Sequence, residues 1–379
     1  MARVALWLAA GLGAGAAMAA VLPEDRADIL YHRFDGGGVT IDGPSLLVRK
    51  KLGENYSVNA NYYVDMISSA SIDVLSSASP YKEKRTQYSL GGDYLRDKTT
   101  YSINYIDSDE PDYKAHTAIV GLSHDLFGDL TTVSLGYSRG WDVVGQRATR
   151  TSAPVDVGHA DHRNYSVGVS QIVTKRLILG INYDAITDEG YLKSPYRKAR
   201  YCVDASCSAS AFEEQVYPRT RTSNAVAFDA RYFLPYRAAL HGNFRYFNDT
   251  WGIGAQTAEI GYLHPTKGPW TFDTSYRYYN QTRADFYSDL LPRADFQNFM
   301  ARDRELATFH SHTFHVGASY EFARGGWKWV QRGSLNLSYD RIQFQYEDFR
   351  NVLAGGQPGA QPLYSYGANV IQVFASIWF

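Results

Sequence analysis

The chain of 379 residues carries 38 Lys and Arg against 39 Asp and Glu, and its formal charge of -1 excludes a general electrostatic attraction to nucleic acid or acidic lipid. Aromatic residues make up 15% of it and glycines number 32, while beyond residue 20 no apolar run reaches the ~18 residues of a membrane-spanning helix. Two cysteines in so long a chain exclude a disulfide framework.

The opening stretch MARVALWLAAGLGAGAAMAA has one basic residue, Arg3, then an uncharged apolar run and the small-x-small triplet Ala17, Met18, Ala19. That pattern predicts a secretory signal over residues 1–19, cleaved before Ala20, with an apolar core too short for a spanning anchor. The exported part, 20–379, is expected to be a single domain built of β structure.

Taken in order, the elements bear this expectation. Gly36 to Gly38 in FDGGGVT follow the first strand, where a tight turn needs positive φ. NANYYVDMISSASIDV runs a strand into a Ser/Ala-rich stretch, Ser68 to Ser79, which reads as an outer loop or as a segment laid against another protein or a plug. In TTYSINYI, in NYSVGVSQ, from Leu177 to Asp184 and from Ser334 to Tyr339, apolar or aromatic residues alternate with small polar ones. The final VIQVFASIWF alternates too, with Ile371, Val373, Ala375, Ile377 and Phe379 on one face. A period of two is that of a strand with one apolar face.

Alternation alone would also suit a soluble sandwich, and the links decide between them. Short links at GEN, RDK, LFGD, TK, LPY, PTKG and FARGGW take turns with longer ones around 35–43, 67–84, 108–112, 141–160, 187–220, 249–252, 280–309 and 351–363. Brief periplasmic turns facing longer outer loops mark a transmembrane antiparallel β-barrel, and the spacing gives about sixteen strands with both ends on the periplasmic side. The last strand then pairs with the first, because lipid tolerates no open sheet edge. Ile377, Trp378 and Phe379 resemble the terminal signal that barrel-assembly machinery reads in outer-membrane proteins.

With the apolar face in lipid, the other face lines the bore. The inward set includes Asn59, Asn61, Asp65, Ser89, Asp93, Asn104, Ser134, Ser138, Asn182 and Asp184, and the selectivity candidates are Asp229, Arg231, His241, Arg245, Glu259, Asp273, Arg277 and Glu321. Asn243 and Asp340 belong to the same face. A barrel this wide holds water or a plug. Arg231, Arg245 and Arg277 on successive strands either set up a transverse field acting on an anionic or zwitterionic solute, or form a ladder of cross-strand ion pairs.

Two links could narrow the bore. In 281–308, Phe296, Phe299, Met300 and Leu306 after Pro292 fall near helical spacing and predict a helix inside the pore or over its rim. The link DEGYLKSPYRKARYCVDASCSASAFEEQVYPRT is a second lid candidate, whose tip a Cys202–Cys207 disulfide would tie; a metal-binding thiol pair lacks further ligands nearby. His310 and His312 share one strand face and His315 the other, so one metal ion would not see all three. No Gly-rich phosphate loop, HExxH or GxSxG pattern occurs, and no enzyme and no cofactor are expected.

The runs DRADILYHRFDGGGVTIDGPSLLVRKKL, NANYYVDMISSASIDV, LFGDLTTVSLGYSRGWD, LPYRAALHGNFRYFNDTWGI and FASIWF resemble the bacterial family known as domain of unknown function 3570. The resemblance implies an outer-membrane β-barrel without an assigned site. Through the genes that neighbour the family's, it also implies a link to a periplasmic redox system of small lipoproteins and thioredoxin-like proteins. The expected function is a pore, or the membrane component of an export or redox assembly, in contact with outer-membrane lipid and a small periplasmic lipoprotein or redox protein. The alternatives are a closed structural barrel that binds a partner lipoprotein, and a receptor or adhesin that works through its loops.

Overall fold

The structure is a computed structural model that describes residues 21–69, 81–149 and 151–379. The expected signal over 1–19 lies outside them, as does most of the Ser68 to Ser79 stretch. Among the described residues eighteen strands follow one another. The first nine are β1 (Arg26–Gly36), β2 (Val39–Leu52), β3 (Tyr56–Ser69), β4 (Tyr81–Arg96), β5 (Thr99–Glu110), β6 (Tyr113–Leu126), β7 (Thr131–Gln146), β8 (Val155–Thr174) and β9 (Leu177–Gly190). A short hairpin follows, β10 (Lys198–Cys202) with β11 (Ser210–Glu214). Then come β12 (Thr220–Phe233), β13 (Ala239–Asp249), β14 (Gly254–Pro265), β15 (Trp270–Gln281), β16 (Phe309–Phe322), β17 (Arg332–Arg350) and β18 (Leu363–Trp378).

All but β10 and β11 join, each antiparallel to its neighbours, in one closed sixteen-stranded barrel. Closure is made by β18 against β1, in register from Arg26 opposite Trp378 to Gly36 opposite Ala368. The alternating C-terminal strand therefore has both edges paired, as a spanning strand in lipid requires. Strands of 11 to 20 residues exceed the roughly 10 needed to cross a bilayer, so the wall stands proud of it.

The apolar residues that a soluble fold would bury here face outward and are exposed: Ile29, Leu90, Ile103, Leu135, Ile260, Phe314, Val316 and Leu337 among them. Rings gather toward the ends of this belt. Tyr56 stacks on Tyr94 at 4.8 Å and Trp270 meets Tyr320 at 4.9 Å on the end that holds both termini, while Tyr105 and His116 lean on Trp141 near the other. Such girdles belong at the two interfaces of a bilayer.

The end with the termini has the brief turns and is the periplasmic one. At the outer end two expected long links prove short. Gly37 (φ +58°) and Gly38 (φ +76°) close β1 to β2 in two residues, and only residues 111–112 join β5 to β6. Consecutive positive φ values match the right-handed twist of a hairpin, so the Asp35–Gly43 segment is strand with a tight turn.

Candidate functional site

Register places every selectivity candidate on the inner face. Asp229 stands opposite Asn243, which stands opposite Glu259, which stands opposite Arg277, and on the far side of Arg277 stands Thr313. Arg231 pairs across to His241, and Arg245, Asp273 and Glu321 keep the same parity. The inner face is laid out in polar rungs. Asn182 and Asn243 both donate to Asp229, at 3.4 and 2.8 Å, so among the described residues this carboxylate is held by amides. Arg277 donates to Glu259 at 2.6 Å, with His241 3.6 Å from the same carboxylate. His315 lies between Asp273 and Asp340, 2.6 Å from each.

The three arginines differ in their surroundings. Arg277 is a rung of a cross-strand ion-pair ladder, Arg245 lies 5.7 Å over the Phe247 ring, and Arg231 is exposed with no ion pair among the described residues. Two clusters were not foreseen as clusters, although Asp65 belongs to the expected inward set. Asp65 on β3 receives His32 from β1 at 2.7 Å and Arg85 from β4, and His162 on β8 reaches Asp142 on β7 and Asp188 on β9, at 3.1 and 2.6 Å. Register sets Asp65 opposite Arg85 and His162 opposite Asp188, while His32, opposite Gly43, and Asp142, two residues from the direct partner of His162, reach them diagonally on the same face.

Glycines keep much of this wall flat. A Cβ on Gly168 would fall 2.4 Å from Ser134 Oγ and 2.5 Å from Asn182 Oδ1, so the small polar side chains of the flanking strands lie over its backbone. Similar crowding surrounds Gly91, beneath Asn59 and Asn104.

Across the outer mouth three loops build one cap. The β10–β11 hairpin, tied at its tip by a Cys202–Cys207 disulfide, bonds its backbone to residues 282–308: Cys202 N–H to Leu291 C=O at 2.9 Å, Leu291 N–H to Arg200 C=O at 2.8 Å, and Val216 and Met300 reciprocally. At the tip Asp204 accepts from Ser206 and Ser208, which lowers its carboxyl to about 2. Tyr196 reaches the β5–β6 turn at Asp112, and Arg200 reaches Gln361 in the β17–β18 loop. Strands β6 and β17 lie on opposite sides of the closed ring, so the cap spans the mouth.

The cap has its own core. Trp251, Phe286 and Tyr217 meet edge to face at 5.1 to 5.4 Å, and Leu306, Phe349 and Tyr346 complete the buried cluster. It rests on inward-facing Phe247, Phe309, Phe344, Tyr364 and Tyr366, so part of segment 282–308 lies inside the barrel rim. Gln281, at the end of β15, donates to the carbonyls of Glu305 and Ala307 and pins the returning chain.

The helix expected in this segment is absent. Residues 282–308 run irregularly with one 3-10 turn, Arg304–Leu306, because their backbone groups pair with the hairpin and the strand ends instead of with each other. Met300 and Leu306 are buried and Phe296 and Phe299 exposed, so the four candidates do not form one apolar face.

Charges lock the cap. Arg302 donates to Asp289 Oδ1 at 3.0 Å while lying 4.4 Å over the Phe349 ring, and Arg197 grips Glu305 with both ends of its fork and approaches Asp303. Burial by itself would raise the Glu305 carboxyl, but Arg197 and Arg304 hold it well below the usual range. Tyr217 donates to Asp303 at 2.6 Å, and burial together with that carboxylate pushes its phenol well up.

Ile377 continues the outward face of β18 opposite Ala27, the Trp378 ring lies under Arg332 and Arg26, and Phe379 lies under Lys50 at 4.9 Å. His310 and His312 face outward near the outer rim among Tyr276 and Tyr278, away from His315.

A family model described as "Protein of unknown function (DUF3570)" matches residues 72–339. No curated protein matches the sequence. Among solved structures, a bacterial polysaccharide outer membrane secretin is similar at 9% identity over 94% of this chain and 100% of its own, with a TM-score of 0.49. A Pseudomonas aeruginosa FadL homologue is similar at 10% identity over 95% and 91%, with a TM-score of 0.44. OmpT of Vibrio cholerae, in a form lacking loop L8, is similar at 9% identity over 93% and 98%, with a TM-score of 0.36.

Proposed function

This chain belongs to the DUF3570 family of proteins of unknown function, and from that premise we propose that it is an outer-membrane pore whose outer mouth is held shut by its own loops. The observation that carries the reading is the pairing of a polar inner wall in a barrel too wide for side chains to fill with a cap that has a core, a disulfide and buried ion pairs. A barrel whose task was only to stand in the membrane would need neither. A signal over residues 1–19 would deliver the chain to the periplasm and barrel-assembly machinery would insert it.

The pore would serve as the membrane component of an export or redox-associated assembly, with a small periplasmic lipoprotein or redox protein at its inner end. Reconstituted mature protein should be silent or flicker in planar bilayers, and the same protein lacking residues 282–308 should give steady open channels. A deletion variant that folds yet stays silent would favour the closed structural barrel. The disulfide-tied hairpin tip, with Val203 exposed on it, is the one feature that favours a loop-based receptor.

A further inference from the structure

We infer that the pore selects for cations, an inference that rests on the pore reading and adds a solute class to it. Around mid-lumen the inward positions carry six carboxylates, Asp93, Asp184, Asp229, Glu259, Asp273 and Asp340, and against them stand three arginines, Arg49, Arg245 and Arg277, and two histidines, His241 and His315. Two of these cations are already engaged. Arg277 is tied to Glu259, and the His315 imidazole is shared by two carboxylates at 2.6 Å each. Even with both ring nitrogens protonated, the Asp273–His315–Asp340 rung keeps one net negative charge.

Asp229 adds another, because its partners Asn182 and Asn243 are neutral amides that support its charge without cancelling it. The same composition recurs higher up, where Asp142 and Asp188 share His162. Arg231, exposed and without an ion pair among the described residues, sits nearer the periplasmic ring. The chain as a whole is nearly neutral, so this excess is a local property of the wall. A low-dielectric cylinder lined with uncancelled carboxylates concentrates cations and repels anions.

The test is the zero-current potential of the variant lacking residues 282–308 in a potassium chloride gradient. Potassium should be favoured over chloride several-fold at low salt, and the preference should shrink as salt rises. Asp229→Asn should weaken it, and so should Asp273→Asn combined with Asp340→Asn. A chloride preference, or a potassium preference that these substitutions leave unchanged, overturns the inference while leaving the pore intact. Silence of the variant contradicts the pore reading alone. The field is then read by equilibrium dialysis of the full-length protein in detergent against hexaamminecobalt(III), a probe that binds through charge. The Asp273→Asn, Asp340→Asn protein should take up less at low salt, and equal uptake overturns the inference.

Discussion

Arg302 shows how single residues hold the mouth closed. Its guanidinium is buried, stacked on Phe349, and neutralised by Asp289, whose carboxylate also accepts from the Arg350 N–H. Removing one partner of a buried pair leaves the other charge without compensation, at a cost of about 3–5 kcal/mol. Asp289→Ala is therefore expected to melt the cap locally: limited proteolysis should cut within 282–308 while the barrel itself stays resistant. Resistance equal to the native protein would show that the pair holds nothing. This contact joins residues 13 apart inside a loop, and no periodicity in the sequence announces it. Legible instead were residues whose role follows from position in a strand, such as Asp229 and Arg277, because parity alone sends them inward.

At the scale of elements, the latch between Arg197, which precedes β10, and Glu305, in the loop before β16, couples two segments more than 100 residues apart in sequence. Because the Glu305 carboxyl is lowered in the folded protein, its contribution is fully present above the unfolded carboxylate value and is lost as pH falls through the lowered one. The cap should thus stay shut from neutral pH down to about 4 and loosen only in stronger acid. Arg197→Gln should remove this acid step and raise open probability at neutral pH in bilayer recordings; an unchanged open probability would place the latch elsewhere. Barrel strands were legible because one face must be apolar in lipid. The segment after Pro292 was read as a helix because Phe296, Phe299 and Met300 have the right spacing, but spacing does not reveal that a neighbouring hairpin offers its backbone partners. Long outer links were overestimated at β1–β2 and β5–β6, where the strands continue as wall above the membrane.

The molecule as a whole is a closed cylinder with apolar residues outside and a polar wall within. Closure was legible from the alternating C-terminus, and the match of β18 to β1 gives it a register. The inward carboxylates were legible by parity; the cap was not, since it needs loops far apart in sequence, nor were the His-centred rungs, since they need the register between neighbouring strands. The most direct test is a nitroxide scan of β16 from Thr313 to Tyr320 in lipid vesicles, reading collision with oxygen and with a water-soluble nickel chelate. Labels at Phe314, Val316, Ala318 and Tyr320 should favour oxygen and those at Thr313, His315, Gly317 and Ser319 the chelate, in strict alternation. A smooth profile without a two-residue period, or one in the opposite phase, would contradict the barrel in its membrane.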